Sequence, residues 1–237
     1  MWSAAPGNGH REAGRLPRVK NLARTWDQAE RPFAANAYDG RGTSEVDYQP
    51  SRSKLLVTAP HAVNHHRHAR PKLADRWTGG LATLTGQALG AAVLIASSRV
   101  PDWTAWAERT DDFARALRSE VAAGAVVIDV HGMSDTHGVD ICIGTGTAPT
   151  ALSTDLAALI EAKLEAYQVG INEPFAARAP YTVVDYVSGL GGRGALQIEV
   201  AARLRNPSEH PSEAETFASL FLEALRASIE LLDESRR

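Results

Sequence analysis

Two histidines and a glutamate accompany three apolar runs of the sequence, and side chains of these types could hold a metal ion and activate water. His61 follows the apolar residues 55–59, His131 follows the apolar residues 126–128, and Glu199 lies within a third such run. An unpaired carboxylate inside an apolar strand is costly, which suggests a function for Glu199. Two imidazoles and a carboxylate from three strands are the donor set of a metal-dependent hydrolase.

Asp129 lies two residues before His131, a spacing that places both side chains on one face of an extended strand. A carboxylate in this position could orient the imidazole ring through a hydrogen bond. Taken alone, His131 could instead cap a loop after its strand. The second apolar run that ends near His61 favours the metal site.

The residues themselves leave the third metal ligand open. Asp75 precedes a predicted helix, where a carboxylate could either interact with the helix dipole or supply the missing oxygen ligand. Four histidines lie within eight positions, at 61, 65, 66 and 68. Some of these are expected to be ordinary surface groups.

Apolar runs alternate with helical stripes along most of the chain. Strands are predicted over residues 54–59, 91–96, 139–143, 169–171 and 195–200, with a further strand beginning at residue 125. This alternation of strands and helices predicts a largely parallel sheet in one α/β domain over residues 37–237. Residues 1–36 show no sustained period and are expected to form a loosely ordered arm.

Three local patterns give further predictions. Residues 181–184 are expected to form an edge strand, and the glycine-rich residues 188–194 to form a mobile loop. Ser212 and Glu215 have the spacing of a capping box, which predicts a final helix that begins at this point.

The composition narrows the class of protein and of partner. The chain has 237 residues, of which 44% are hydrophobic, and a formal net charge of −3. That charge gives no bulk reason to expect nucleic acid or an anionic membrane as partner, so a small-molecule substrate is expected. Cys142 is the sole cysteine, which rules out an internal disulfide and a thiolate zinc cluster. No membrane-length apolar window or signal-peptide core is present, so we expect a cytoplasmic protein.

Four short motifs, in this order, resemble those of the N-formylglutamate amidohydrolase family: APHA at 59–62, DVHG at 129–132, NEPF at 172–175 and QIEV at 197–200. The likeness covers residues 54–205. It implies a three-layer α/β fold, similar to the zinc carboxypeptidases, with helices on both faces of a mostly parallel or mixed central sheet. It also implies metal-dependent hydrolysis of an N-acyl amide bond. By this resemblance His61 and His131 bind one zinc ion, or another divalent ion, and Glu199 activates water.

Two departures from the family pattern bear on the ligands and the substrate. Zinc carboxypeptidases carry a glutamate three residues after the first histidine, where this chain has Asn64. Asp75 resembles the acidic position of the formylglutamate enzymes, so we expect it to be the third ligand, with Asn64 or a nearby histidine as alternatives. The family also has an arginine and an Asp-x-Asn-Arg run after the strand predicted over 91–96. Arg99 and Asp102 match these features only in part, because the Asn-Arg pair is missing.

A substrate carboxylate would be held by a bidentate arginine, for which Arg99, Arg178 and Arg193 are candidates. Asn172 of the NEPF motif is a further candidate for binding the substrate.

The predicted reaction is cleavage of a formyl-like N-acyl amide of an amino acid or a similar small carboxylate, with Glu199 as general base. A non-catalytic homologue that binds a small molecule is the alternative. A serine hydrolase using Ser97, Ser98 or Ser188 is disfavoured, because no GxSxG elbow is present.

Overall fold

Nine strands form two sheets in the computed structural model, which describes residues 20–40, 44–67, 70–98, 108–178 and 182–234. In chain order they are β1 (Val46–Gln49), β2 (Leu55–Ala59), β3 (His65–Arg67), β4 (Arg70–Lys72), β5 (Ala92–Ala96), β6 (Val126–Met133), β7 (Ile141–Gly144), β8 (Val169–Ile171) and β9 (Ala195–Ala201). The main sheet has the order β1-β5-β2-β6-β9-β7-β8, and β3 and β4 pair separately as a hairpin.

Four parallel strands, β5, β2, β6 and β9, form the centre of the main sheet. β1 pairs antiparallel with β5 at one edge, and β7 pairs antiparallel with β9 toward the other. Every residue of β2, β5 and β9 is buried, as expected for strands that are covered on both faces. The strands predicted from the apolar runs are present, and β1 is an edge strand that the polar sequence around it did not indicate.

In the described part of the chain six α-helices surround the main sheet: α1 (Leu22–Ala34), α2 (Thr78–Leu89), α3 (Asp112–Ala122), α4 (Ala151–Lys163), α5 (Val183–Gly189) and α6 (Pro211–Glu234). α2 contacts β2, β5 and β6, α3 contacts β1 and β5, and α5 contacts β6 and β9. α6 packs against α1, α2 and α4. The predicted α/β class with a mixed, mostly parallel sheet is confirmed. None of the described helices has the length and apolar character that crossing a bilayer requires.

Helix α1 lies within residues 1–36, for which a loosely ordered arm was predicted, and for the residues of α1 that prediction is wrong. Trp26, Glu30 and Phe33 are fully buried on one face of α1. The carboxylate of Glu30 accepts hydrogen bonds from the backbone N–H groups of Trp77 and Gly80, both at 2.6 Å. Glu30 interrupts the apolar stripe of this helix, and these hydrogen bonds offset the free-energy cost of burying its carboxyl group. Residues 1–19 lie outside the described residues.

The contact between α1 and α2 depends on glycine at the start of α2. A Cβ atom on Gly80 would lie 2.8 Å from Oε2 of Glu30 and 2.9 Å from a ring carbon of Trp26. The Trp26 indole also donates to the carbonyl of Trp77 at 2.8 Å. Only a residue without a side chain allows this close approach, which fixes the first turn of α2 three residues after Asp75.

The predicted edge strand over residues 181–184 is wrong in its described part, because α5 begins at Val183. The side chain of Thr182 accepts a hydrogen bond from the backbone N–H of Asp185 at 3.2 Å and so caps the helix. Since α5 extends to Gly189, the first two residues of the predicted loop over 188–194 are helical.

Glu215 also has a different role from the one predicted. Its carboxylate accepts hydrogen bonds from the backbone N–H groups of Leu22 and Ala23, at 3.0 and 2.6 Å. Glu215 therefore caps the N-terminus of α1 from within α6, and the predicted capping box is wrong. The sequence spacing is satisfied, but a helix N-terminus from a distant part of the chain takes the carboxylate.

Candidate metal centre

The carboxyl ends of three adjacent parallel strands meet at one edge of the sheet, where open α/β sheets bind ligands. His61 lies two residues beyond β2, while His131 and Glu199 are register partners in β6 and β9. Asp75 joins them from the segment before α2, and its backbone N–H donates to the carbonyl of His61 at 2.8 Å. The strand order β2-β6-β9 thus brings together four side chains that are far apart in the sequence.

His61, Asp75 and His131 converge on one point. The Nδ1 atoms of both histidines lie 3.2 Å from Oδ2 of Asp75, and one ligand atom from each of the three residues lies within 4.8 Å of the others. All three side chains are buried. Two imidazole nitrogens and one carboxylate, with space left for a further ligand, are the donors that catalytic zinc sites use, so these residues fit a divalent metal.

Two further side chains hold the ring of His131. Its Nε2 atom lies 2.8 Å from Oδ2 of Asp129, and the other carboxylate oxygen of Asp129 accepts a hydrogen bond from the hydroxyl of Thr58 at 2.5 Å. Carboxylates commonly bind the second nitrogen of a metal-ligating histidine and thereby set its ring orientation. Asp129 has the position relative to His131 that this role requires.

Burial and mutual interaction shift the pKa values of the three residues of this triad, His61, Asp75 and His131. Burial lowers the pKa of His131, but the charge and hydrogen bond of Asp129, with the bond to Asp75, outweigh it and raise the pKa to about 10. Burial would raise the pKa of Asp75, but the hydrogen bonds from His131 and His61 hold it well below its usual range. Burial lowers the pKa of His61 well below its usual range, despite the neighbouring Asp75. A cation at this site therefore competes with a proton on His131.

Glu199 faces the same space as this triad. Its Oε1 atom accepts a hydrogen bond from Nε2 of Gln197 at 3.0 Å, and the residue is 8% exposed. Burial raises the pKa of Glu199 to about 7, against the positive charge of His131, which lowers it. Such a carboxyl group can exchange a proton near neutral pH.

A cavity of about 560 Å³ opens beside the triad. Its lining combines the triad and Glu199 with polar, apolar and basic side chains, among them Lys72, His137, Phe175, Arg178, Thr182 and Gln197. This volume and this mixture of groups are typical of a small-molecule site.

Of the predicted substrate-binding residues, Arg178 lines this cavity and Asn172 and Arg193 do not. The side-chain oxygen of Asn172 accepts hydrogen bonds from the backbone N–H and the hydroxyl of Thr145, at 2.9 and 3.1 Å, and so holds the turn after β7. The side chain of Asn172 thus has a structural role in this turn.

Arg193 lies at the opposite end of the parallel strands. The carbonyl of its neighbour Gly194 accepts a hydrogen bond from the backbone N–H of Val127, at the start of β6, whereas His131 lies toward the end of that strand. The loop before β9 thus places Arg193 away from the cavity that His131 and Glu199 line. Arg99 lies outside the described residues.

Asn64, the alternative third ligand, is engaged elsewhere. Its side-chain nitrogen donates to the carbonyl of Ala37 at 2.9 Å and to Asp39 at 3.1 Å, and its oxygen accepts from the backbone N–H of Ala74 at 2.9 Å. Both polar atoms of the amide therefore anchor the segment that precedes Asp75. The geometry favours Asp75 as the ligand.

Three residues of the site were not identified from the sequence. His65 stacks on His61 with ring centroids 4.2 Å apart and planes 6° from parallel, and the spacing of four between these histidines was an available signal. Lys72 brings its Nζ atom to 3.8 Å from Asp75. Gln197 precedes Glu199 by two, the spacing of residues on one face of a strand.

The fold and the site together define a class of protein, a mixed α/β fold in which the ends of parallel strands bring a cluster of potential metal ligands and a glutamate to one cavity. The model of the N-formylglutamate amidohydrolase family matches residues 95–205 of the chain. The resemblance to this family is thereby confirmed, and it supports a hydrolase function. The matched range includes His131 and Glu199, while His61 and Asp75 precede it.

Several solved structures share the fold. The N-formylglutamate amidohydrolase from Ralstonia eutropha JMP134 is 13% identical, with a TM-score of 0.59 over 81% of this chain and 99% of that one. A bacteriophage poly-gamma-glutamate hydrolase is 13% identical, with a TM-score of 0.55 over 86% and 96%. The zinc-free apo form of YndL is 13% identical, with a TM-score of 0.50 over 78% and 88%. No curated protein matches the chain.

Proposed function

We propose that this protein is a metal-dependent amidohydrolase with one zinc ion per chain, which cleaves a formyl-like N-acyl amide of an amino acid or a similar small carboxylate. The observation that carries the proposal is the convergence of His61, Asp75 and His131 within 4.8 Å, beside Glu199 in one cavity. The match to an amidohydrolase family supports the reaction class. A structural relative described in a zinc-free apo form supports zinc as the metal to test first.

Each residue of the site has a distinct role in this proposal. His61 and His131, through Nδ1, and Asp75, through its carboxylate, would hold the ion. Zinc, when bound, supplies a Lewis acid that polarises the amide carbonyl and makes water acidic enough to attack at neutral pH. Glu199 accepts the proton of the attacking water and delivers it to the leaving nitrogen. Asp129 keeps the ring of His131 in its orientation.

Two basic residues, Lys72 and Arg178, line the cavity, and they support a substrate that carries a carboxylate. Lys72 is close to the carboxylate of Asp75, which offsets part of its charge. Arg178 is exposed at the cavity wall, and its planar guanidinium can bind a carboxylate through two parallel hydrogen bonds. We therefore assign the substrate carboxylate to Arg178.

Elemental analysis of the purified protein tests the metal, with one zinc per chain as the expected result. Removal of the metal by a chelator should abolish hydrolysis, and zinc should restore it, with other divalent ions compared in the same assay. Protein that contains no metal and binds none on titration contradicts the proposal.

A panel of N-formyl and N-acetyl amino acids tests the reaction. Turnover that depends on the metal supports the proposed hydrolase. Binding of these compounds without turnover by fully metal-loaded protein identifies the alternative, a non-catalytic homologue.

A further inference from the structure

Arg205 joins three segments of the chain through backbone hydrogen bonds. It lies four residues beyond the end of β9 and is partly buried. Its Nε atom donates to the carbonyl of Val200 at 3.1 Å, one terminal nitrogen donates to the carbonyl of Met133 at 3.3 Å, and the other donates to the carbonyl of Arg76. A planar guanidinium distributes its five donors over three nitrogens, whereas a lysine carries its three donors on a single nitrogen.

The three carbonyls belong to the segments that carry the site. Arg76 directly follows Asp75, Val200 directly follows Glu199, and Met133 is two residues after His131. One side chain outside the cavity lining thus connects the segments that carry Asp75, His131 and Glu199. Small errors in the spacing of these residues are costly, because metal affinity and proton transfer both require a defined geometry.

The positive charge of Arg205 also acts on the carboxylates around the site. The guanidinium interacts electrostatically with the carboxylates of Asp75, Glu199, Asp135 and Glu30. A partly buried cation at this position lowers the cost of keeping several carboxylates close together. The same group therefore provides both a connection between these segments and charge balance.

Gly132 makes room for the guanidinium directly beside His131. A Cβ atom at Gly132 would lie 2.5 Å from both Cζ and Nε of Arg205, a distance that real Cβ contacts do not show. Arg205 thus packs on the bare backbone of β6. A side chain at position 132 would displace it without changing any ligand of the proposed site.

We propose that Arg205 is a positioning residue that sets the geometry of Asp75, His131 and Glu199, and through them the metal affinity and the rate of catalysis. The inference rests on the proposed function, because it requires a metal at His61, Asp75 and His131. It assigns Arg205 no contact with the metal or the substrate.

The first experiment compares Arg205→Lys and Arg205→Met with the matched controls Arg203→Lys and Arg203→Met. Arg203 lies two residues earlier and pairs instead with Asp140. Zinc affinity, measured by chelator competition on folded protein, should fall about 10–100-fold for both Arg205 variants and stay unchanged for the controls. In zinc-saturated protein kcat should fall while KM stays unchanged, because the base is misplaced and the substrate contacts are not. Arg205→Lys with wild-type affinity and kcat would overturn the inference, even if its stability were lower.

A double-mutant cycle with Gly132→Ala provides a second test. Gly132→Ala should weaken zinc binding in the wild-type background and add little in the Arg205→Met background, because both changes act on the same contact. Additive losses would show that position 132 acts independently of Arg205 and would count against the inference. If the wild-type protein retains zinc and these variants bind it equally well, the inference fails and the proposed function stands. If the wild-type protein itself binds no metal, the proposed function fails.

Discussion

At the residue scale, Glu199 is a carboxyl group inside a buried strand, where only a specific role or a specific partner offsets the cost of its burial. Glu199→Gln keeps the shape of the side chain and removes its ability to accept a proton. We expect metal content and fold to be nearly intact and turnover to fall about 10²–10⁴-fold, the usual share of general acid-base catalysis. Steady-state kinetics per folded, metal-loaded molecule measures the effect.

Glu173→Gln is the control for this prediction, because Glu173 is exposed beside the cavity-lining Pro174. The control should retain wild-type turnover. Normal turnover by Glu199→Gln, together with a lower melting temperature, would mark Glu199 as structural and exclude it as the base.

The second prediction at this scale separates Asp75 from Asn64. Asp75→Asn removes the charge that both Nδ1 atoms approach at 3.2 Å, so metal affinity should fall strongly. Asn64→Ala removes hydrogen bonds to Ala37, Asp39 and Ala74 and should lower the melting temperature with a smaller effect on the metal. Chelator competition ranks the two variants. The reverse ranking would favour a ligand set that includes Asn64.

At the scale of secondary-structure elements, α1 determines where α2 begins. The buried Glu30 binds the first turn of α2, and burial raises its pKa from 4.5 to about 7, although the backbone hydrogen bonds from Gly80 and Trp77 lower it. A carboxyl group with a raised pKa in the folded state binds protons more tightly there than in the unfolded chain. Its contribution to stability is therefore complete below about pH 4.5 and is lost as the pH rises through about 7.

The loss of this stability as the pH rises predicts how Glu30→Gln differs from the wild type. Between pH 5 and pH 8 the wild type should lose up to about 3 kcal/mol of unfolding free energy relative to Glu30→Gln, whose amide does not titrate. Urea unfolding of metal-free protein at both pH values, in chelator, measures the difference. A difference that does not change with pH would show that Glu30 is ionised in the folded protein throughout this range.

At the scale of the whole molecule, the proposed metal would connect segments that the unfolded chain does not hold together. His61, Asp75 and His131 converge only when β2, β6 and the segment before α2 are in place. An ion that binds the folded state alone stabilises it by about 2.7 kcal/mol at a free concentration 100 times its Kd. We expect zinc to raise the melting temperature in proportion to the logarithm of its concentration.

His61→Ala and His131→Ala should each abolish both this stabilisation and the retention of metal during purification. Exposed His210, which pairs with Glu213 on the surface, offers the control His210→Ala. Retention of one zinc per chain by both His61→Ala and His131→Ala would rule out the proposed site.

The sequence by itself determined the α/β class, the central strands and the order along the chain of the residues that could bind a metal or transfer a proton. Apolar runs such as those before His61 and around Glu199 are specified locally, because a strand buried on both faces must be apolar along its length. The alternation of strands and helices then places the ends of these strands at one edge. For this reason the grouping of His61, His131 and Glu199 was predictable.

Only the tertiary structure decided which polar residues belong to the site. Glu30 lies in a segment without a sustained period, and Glu215 has the spacing of a capping box, yet each carboxylate binds a helix N-terminus that is distant in the sequence. Arg178 and Arg193 look equivalent in the sequence, but one lines the cavity and the other lies at the far end of the strands. Hydrogen bonds and ion pairs join residues across any sequence separation, so their partners are set by the packing of the whole chain and not by local spacing.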